Sequence, residues 1–247
     1  MIFELLPTID IMLALYKQPR NMERFREYLK TLQGETKGDL AMPISGFNPM
    51  AKEHVIVKLA ELKELQAEKI IAETLAGLNK KLTRQVNKNI FKVALNLSDD
   101  LAGGWTNRFT SDYDSKFKIN ALVNRQFCTP FFWTSETFTT AIIKERTLEY
   151  AFRTIYRATN PTPETLGEHI EQEKFVAKNN NKEPVRKIDI VALDLFFKQY
   201  RHSESYHIIF NFFYGDNAST FMQFPTFGVK EDMAGFEYAK QLCQTGT

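Results

Sequence analysis

Four side chains on two consecutive predicted helices have the types and spacing for chemistry. On the helix expected to begin at Ser135, a hundred-degree wheel puts Phe138, Ala141, Ile142, Leu148, Phe152, Ile155 and Tyr156 on one face. Glu145 and Glu149 project from the middle of that face. On the next helix Leu166, Ile170, Val176 and Ala177 mark the apolar side, and His169 and Glu173 lie among them, four residues apart. A carboxylate in a core is compensated by a cation, a proton or a metal, because leaving it bare costs several kcal/mol. The short Asn-Pro-Thr-Pro connection makes the two helices antiparallel neighbours, so Glu145, Glu149, His169 and Glu173 are expected to converge. Three oxygen donors and one imidazole suit a divalent zinc, iron or manganese ion. A metal-activated water, or Glu145 or Glu149 as a base, would then carry a hydrolytic reaction. The spacing matches neither the Glu-x-x-His of di-iron bundles nor the His-Glu-x-x-His of zinc proteases. The competing account is structural: Arg146 and Arg153 lie three before and four after Glu149 and can hold it as a helix ion pair.

A second candidate is the stretch "GGWTNRFTSDYDSKFK", which collects Trp105, Asn107, Arg108, Asp112, Tyr113, Asp114 and Lys116. The planar fork of Arg108 suits a carboxylate or phosphate, and Trp105 or Tyr113 offers a flat apolar face. A small anionic ligand is the partner these residues fit. The competing account is an exposed hairpin whose charges pair with one another.

A third feature is basic. No acid falls between Glu73 and Asp99, and Lys80, Arg84 and Lys88 recur every four residues, joined by Lys81 and Lys92. Such a stripe can meet phosphates, but cations also collect at helix C-termini for dipole reasons. With 32 basic and 30 acidic residues the formal net charge is +2, which disfavours nucleic acid as a partner. The rival function is therefore a non-enzymatic interaction module, docking a protein or nucleic acid through a long helix over 49–86 and its basic end. Cys128 and Cys243 form no CxxC pair, and no motif brings Cys128 to His169 or His207.

The elements that must position these residues follow from periodicity and punctuation. Asn21 caps a helix over 21–33, and Asn48-Pro49 opens the long helix, whose apolar stripe falters at Gln66. "IFKVALNL" alternates as a half-buried strand, and with "WTNRFT" it predicts a hairpin edge, extended by "QFCTPFFW". Helices are expected from Ser135 to about Asn160, over "ETLGEHIEQEKFVAK" and over "EDMAGFEYAKQLC"; "RKIDIVALDLFFKQY", apolar almost all round, reads as buried helix or strand, with its length favouring helix. "YHIIFNFFY", "GDNAS" and "TFMQFPTFGV" predict a second hairpin. The fold expected is α+β, predominantly helical, with one or two antiparallel β-hairpins or a small antiparallel sheet. The 247 residues suit a single domain, with residues 1–48 as an N-terminal helical extension in one version. The N-terminal run, interrupted by Glu4, Pro7 and Asp10, is expected to be a helix packed on the core of a cytoplasmic protein, with no membrane span. Oligomeric state is not readable from these patterns.

Overall fold

The computed structural model describes residues 1–36, 38–82, 89–102 and 105–244. In chain order they form β1 (Ile2–Leu5), α1 (Ile9–Tyr16), α2 (Met22–Leu32), α3 (Glu53–Glu64), α4 (Ala67–Leu82), β2 (Ile90–Val93), β3 (Asn96–Ser98), α5 (Arg108–Phe117) and α6 (Asn120–Asn124). These are followed by β4 (Phe127–Cys128), β5 (Phe131–Trp133), α7 (Thr140–Thr159), α8 (Leu166–Asn179), α9 (Ile190–Tyr200), α10 (Tyr206–Phe221) and α11 (Ala234–Gln244). The chain divides into two compact units, Met1–Thr154 and Ile155–Thr247.

The first unit is organised by parallel strands. β2 lies between β1 and β4, in register Ile2↔Ile90 and Lys92↔Phe127, and β3 pairs with β5 in register Asn96↔Phe131. The pairing carries across the steps from β2 to β3 and from β4 to β5. There the Ala94 N–H donates to the Cys128 carbonyl (3.0 Å) and the Asn96 N–H to the Pro130 carbonyl (2.9 Å). Helices α1 to α4 fill the crossover from β1 to β2, and α5 and α6 the crossover from β2 to β4, as parallel pairing requires.

The expected antiparallel hairpins are overturned: every paired strand is parallel, and antiparallel pairing among the described residues is one isolated bridge, Gln33↔Leu40. "IFKV" does alternate, but from Val93 to Asp99 every residue is buried. That continuous burial belongs to a parallel strand covered on both faces. The "WTNRFT" stretch is not a strand. Asn107 caps α5, its side-chain oxygen accepting from the N–H groups of Phe109 (2.9 Å) and Thr110 (3.2 Å). The N-terminal run is also corrected, since it begins as β1 and only then turns helical.

Other expectations hold or shift by a turn. Asn21 caps α2 through the N–H groups of Glu23 and Arg24. The long helix breaks where the stripe faltered: Gln66 adopts φ +54, so α3 and α4 are separate, and residues 83–88 lie outside the described residues. α7 starts at Thr140 rather than Ser135, with the Thr139 hydroxyl accepting from the Ile142 N–H (3.2 Å).

In the second unit α8 opens with a capping box between Thr165 and Glu168, α9 is the helix its length favoured over a strand, and α11 falls within the expected closing helix. The second predicted hairpin is instead α10, bent at Gly215, whose φ is +86. A Cβ there would stand 2.7 Å from the Glu231 carbonyl oxygen, so the close approach of that segment needs glycine. Among the described residues no helix is long and apolar enough to cross a membrane.

Candidate functional site

The residues 105–118 surround the start of α5, and their roles divide. Asp112 and Lys116, one turn apart and both buried, form an ion pair inside the first unit. Burial pulls the Lys116 ammonium below its usual pKa, with Arg153 adding to the effect and Asp112 opposing it. Tyr113 is buried edge-on against Phe117, 4.9 Å between ring centres. Asp112, Tyr113 and Lys116 therefore build the core rather than face a ligand. Asp114 and Lys118 form an exposed pair at 2.9 Å.

Trp105 is the outward aromatic of this stretch, 46% exposed. It is nonetheless fixed: the indole N–H donates to the Ser45 carbonyl (3.1 Å), and the ring meets Tyr28 edge-on at 6.4 Å. The backbone it leans on is itself tied down. Asn96, fully buried on β3, donates to the Pro43 carbonyl (2.9 Å) and accepts from the Gly46 N–H (2.8 Å), while Ser98 donates to the Gly46 carbonyl (3.0 Å). A cleft of about 270 Å³ opens beside this wall, lined by Trp105, Thr106, Ser111, Asp114, Lys118 and Phe131, with Gly46 at its edge. Ser115 also lines it, but its hydroxyl donates to the Asp112 carbonyl (2.8 Å) and meets the Tyr150 hydroxyl at 2.6 Å. That commitment makes it a structural hydroxyl, not a nucleophile.

Joined to the cleft through Thr106, the carboxyl ends of β3 and β5 carry a polar cluster that the sequence patterns did not assemble, although Arg108, Ser135 and Arg146 each stood out for other reasons. Asp99 and Asp100 follow β3, and Thr134, Ser135 and Glu136 follow β5. The Thr134 hydroxyl reaches Asp99 Oδ1 and Asp100 Oδ1, each at 3.1 Å, and Ser135 donates its hydroxyl to Asp100 Oδ2 at 2.6 Å. His54 on α3 brings Nε2 to 2.9 Å from Asp99 Oδ1. Burial would raise the Asp99 pKa, but the His54 bond and the N–H groups of Leu101 and Ala102 outweigh it and hold it below the usual carboxylate value. Arg108 lies over the Trp133 ring at 4.8 Å and reaches Glu136 at 3.4 Å, and Arg146 clasps Glu136 at 2.9 Å. The Thr106 hydroxyl donates to the Asp99 carbonyl (2.7 Å), which joins this cluster to the loop presenting Trp105. The signal available in the sequence was the pair of aspartates ending a buried run; nothing local marks His54.

Glu145 is exposed and Glu149 half-buried, so the expectation that both sit in the core fails. Phe152 of the expected face is buried, but the rest of the buried side of α7 in this unit is Ile143, Thr147, Tyr150, Ala151, Arg153 and Thr154. With Glu136 and Arg146 the two carboxylates line a separate hollow of about 390 Å³. Arg146 is held above its ordinary pKa: burial would lower it, but Glu136 first and Glu149 next raise it. Glu149 thus adds to the negative charge acting on Arg146. His169 and Glu173, in the second unit, are buried as the spacing implied. Burial, with the Arg157 charge, pushes the His169 pKa down to about 4. Among the described residues no group of three or more His, Cys, Asp or Glu is placed to hold a metal ion. Of the basic stripe, Lys80 and Lys81 close α4, while Arg84 and Lys88 lie outside the described residues. No family model, curated protein or solved structure matches the chain.

Proposed function

We propose that the first unit binds a small organic ligand with a flat apolar face and hydrogen-bonding edges, seated on Trp105. The observation that carries this is the indole itself: a large apolar group left half in water, yet held by a hydrogen bond and an edge contact against a wall of buried polar anchors. An indole needed only for packing would be covered, and one without a role would not be pinned. The cleft adds hydroxyls from Thr106 and Ser111 and the opposite charges of Asp114 and Lys118, donors and acceptors that fix orientation once the face is stacked. Through Thr106, whose hydroxyl holds the Asp99 carbonyl, it reaches the carboxyl end of β3, and parallel-sheet proteins place their ligands at such ends.

The chain has two tryptophans, and Trp133 is fully buried, so quenching by iodide reports Trp105. Titration with adenosine, indole-3-acetate and methyl glucoside should give, for one of these, saturable protection of Trp105 from iodide. The same probe should bind Trp105→Ala roughly tenfold to a hundredfold more weakly by calorimetry, the loss of one stacking contact. Binding unchanged in Trp105→Ala, or quenching untouched by all three, refutes the proposal.

A further inference from the structure

We infer that the second unit carries its own site, a groove between α8, α9 and α11 that takes an amphipathic organic anion, a medium-chain carboxylate in its simplest form. Two hollows, of about 500 Å³ and 290 Å³, share Glu171, Lys174 and Leu242 in their walls and so adjoin one another. The size suits a small organic molecule. Its floor is apolar: Phe175 and Leu242 in the larger part, with Tyr156 beside them, and Phe197 in the smaller. These side chains are half-buried, left in contact with water inside a concave surface rather than scattered on a convex one.

The rim is cationic. Lys174, Lys178, Lys198 and Arg201 line the groove against two acids, Glu171 and Asp194. Both acids are engaged: Lys174 holds Glu171 at 2.9 Å, and the Tyr238 hydroxyl donates to Asp194 at 2.5 Å. Asp194 keeps its charge, because the Tyr238 hydroxyl is neutral, but four cations face two acids in the lining, and Lys178, Lys198 and Arg201, all exposed, leave the rim net positive around an apolar floor. The walls are firm, because Cys243 on α11 donates its thiol hydrogen to the Lys174 carbonyl on α8 at 3.3 Å. An apolar tail on the floor and an anionic head at the rim satisfy both halves of this surface. A neutral or cationic amphiphile satisfies only the first.

Cys243 supplies the reporter. It lines the groove and is half-buried, whereas Cys128, the other cysteine, is 2% exposed, so the thiol that reacts with Ellman's reagent in the folded protein is Cys243. Dodecanoate below its micelle concentration should slow that reaction saturably. Dodecanol and dodecylammonium at matched concentration should protect far less. The Lys178→Glu/Lys198→Glu double variant should need roughly tenfold more dodecanoate for half-protection, with raised salt weakening the wild type in the same direction. Lys187→Glu, an exposed charge change in the same unit but outside the groove, should leave protection unchanged and controls for half of the double variant's change in net charge. Equal protection by all three amphiphiles, protection unaltered in the double variant, or no protection by dodecanoate overturns the inference.

Discussion

Removing the Asp99 carboxylate tests whether the cluster at the ends of β3 and β5 holds the loop that carries Trp105. Its Oδ1 accepts from the N–H groups of Leu101 (3.0 Å) and Ala102 (3.2 Å) and from the Thr134 hydroxyl (3.1 Å), and lies 2.9 Å from His54 Nε2. In Asp99→Ala these donors are not equally harmed. Leu101 and Ala102 are exposed, so their N–H groups turn to water, and Thr134 keeps its bond to Asp100. His54 Nε2 is buried 2.9 Å from the carboxylate and loses that charged neighbour, a contact worth about 2 kcal/mol, and the two loop amides lose about 0.5 kcal/mol each. The sum is roughly 3 kcal/mol. Asp99→Asn keeps a neutral acceptor in the same place and should lose about half as much.

Both tryptophans lie in the first unit, so urea unfolding followed by indole emission reports that unit. A loss under about 1 kcal/mol in Asp99→Ala, or Asn costing more than Ala, refutes the reasoning. The pH dependence has a fixed sign. The folded pKa of Asp99 lies below its unfolded value of about 3.9, so the folded state binds fewer protons in that window. The stabilisation is complete above that value and is lost as pH falls through the folded pKa. The gap between wild type and Asp99→Asn should therefore be flat above about pH 5 and shrink below about pH 4.

Two further outcomes follow from the same style of accounting. His169 is held neutral down to about pH 4 against about 6.5 when unfolded, so the stability it contributes is complete above 6.5 and falls by about 3 kcal/mol as pH drops to 4. An imidazole NMR titration midpoint near 4, and a flatter pH–stability curve for His169→Gln, are expected; a midpoint at 6 or above contradicts this. Gly46→Ala would put a Cβ 2.8 Å from Asn96 Oδ1 and 2.9 Å from Ser98 Oγ, displacing the anchors of the Trp105 wall. It should cost about 2 kcal/mol and raise iodide access to Trp105; native quenching would show that the wall does not depend on this approach.

What the sequence revealed was local. The Asn21 cap, the break at Gln66 and the helices α8, α9 and α11 each depend on neighbours within a turn or two. Parallel strands do not: Ile2 meets Ile90, and no turn chemistry announces that pairing. α10 misled for a related reason, since it is buried on nearly every side from Ile209 to Gly215 and so lacks the periodicity that marks a surface helix. On α7 the misjudged face has a chemical cause. Thr147 and Thr154 occupy the core, and Thr147 hides its polarity by returning its hydroxyl to the Ile143 carbonyl at 2.7 Å. A wheel that counts threonine as polar then rotates the apolar face toward Glu145 and Glu149.

The polar floor of the first unit is informative because stability alone does not ask for it. Apolar side chains of the same volume could fill the space taken by Asn96 and Ser98 at little cost, since a buried hydrogen bond returns only about 1 kcal/mol net. What apolar groups cannot do is hold a particular carbonyl or N–H at a particular place. Asn96 binds Pro43 and Gly46, Ser98 binds Gly46, and Trp105 and Tyr28 bind Ser45 and Ile44, so consecutive carbonyls from residue 43 to residue 46 are each fixed by a different side chain. Such redundancy determines position rather than free energy, and the surface whose position it determines is the rim of the Trp105 cleft.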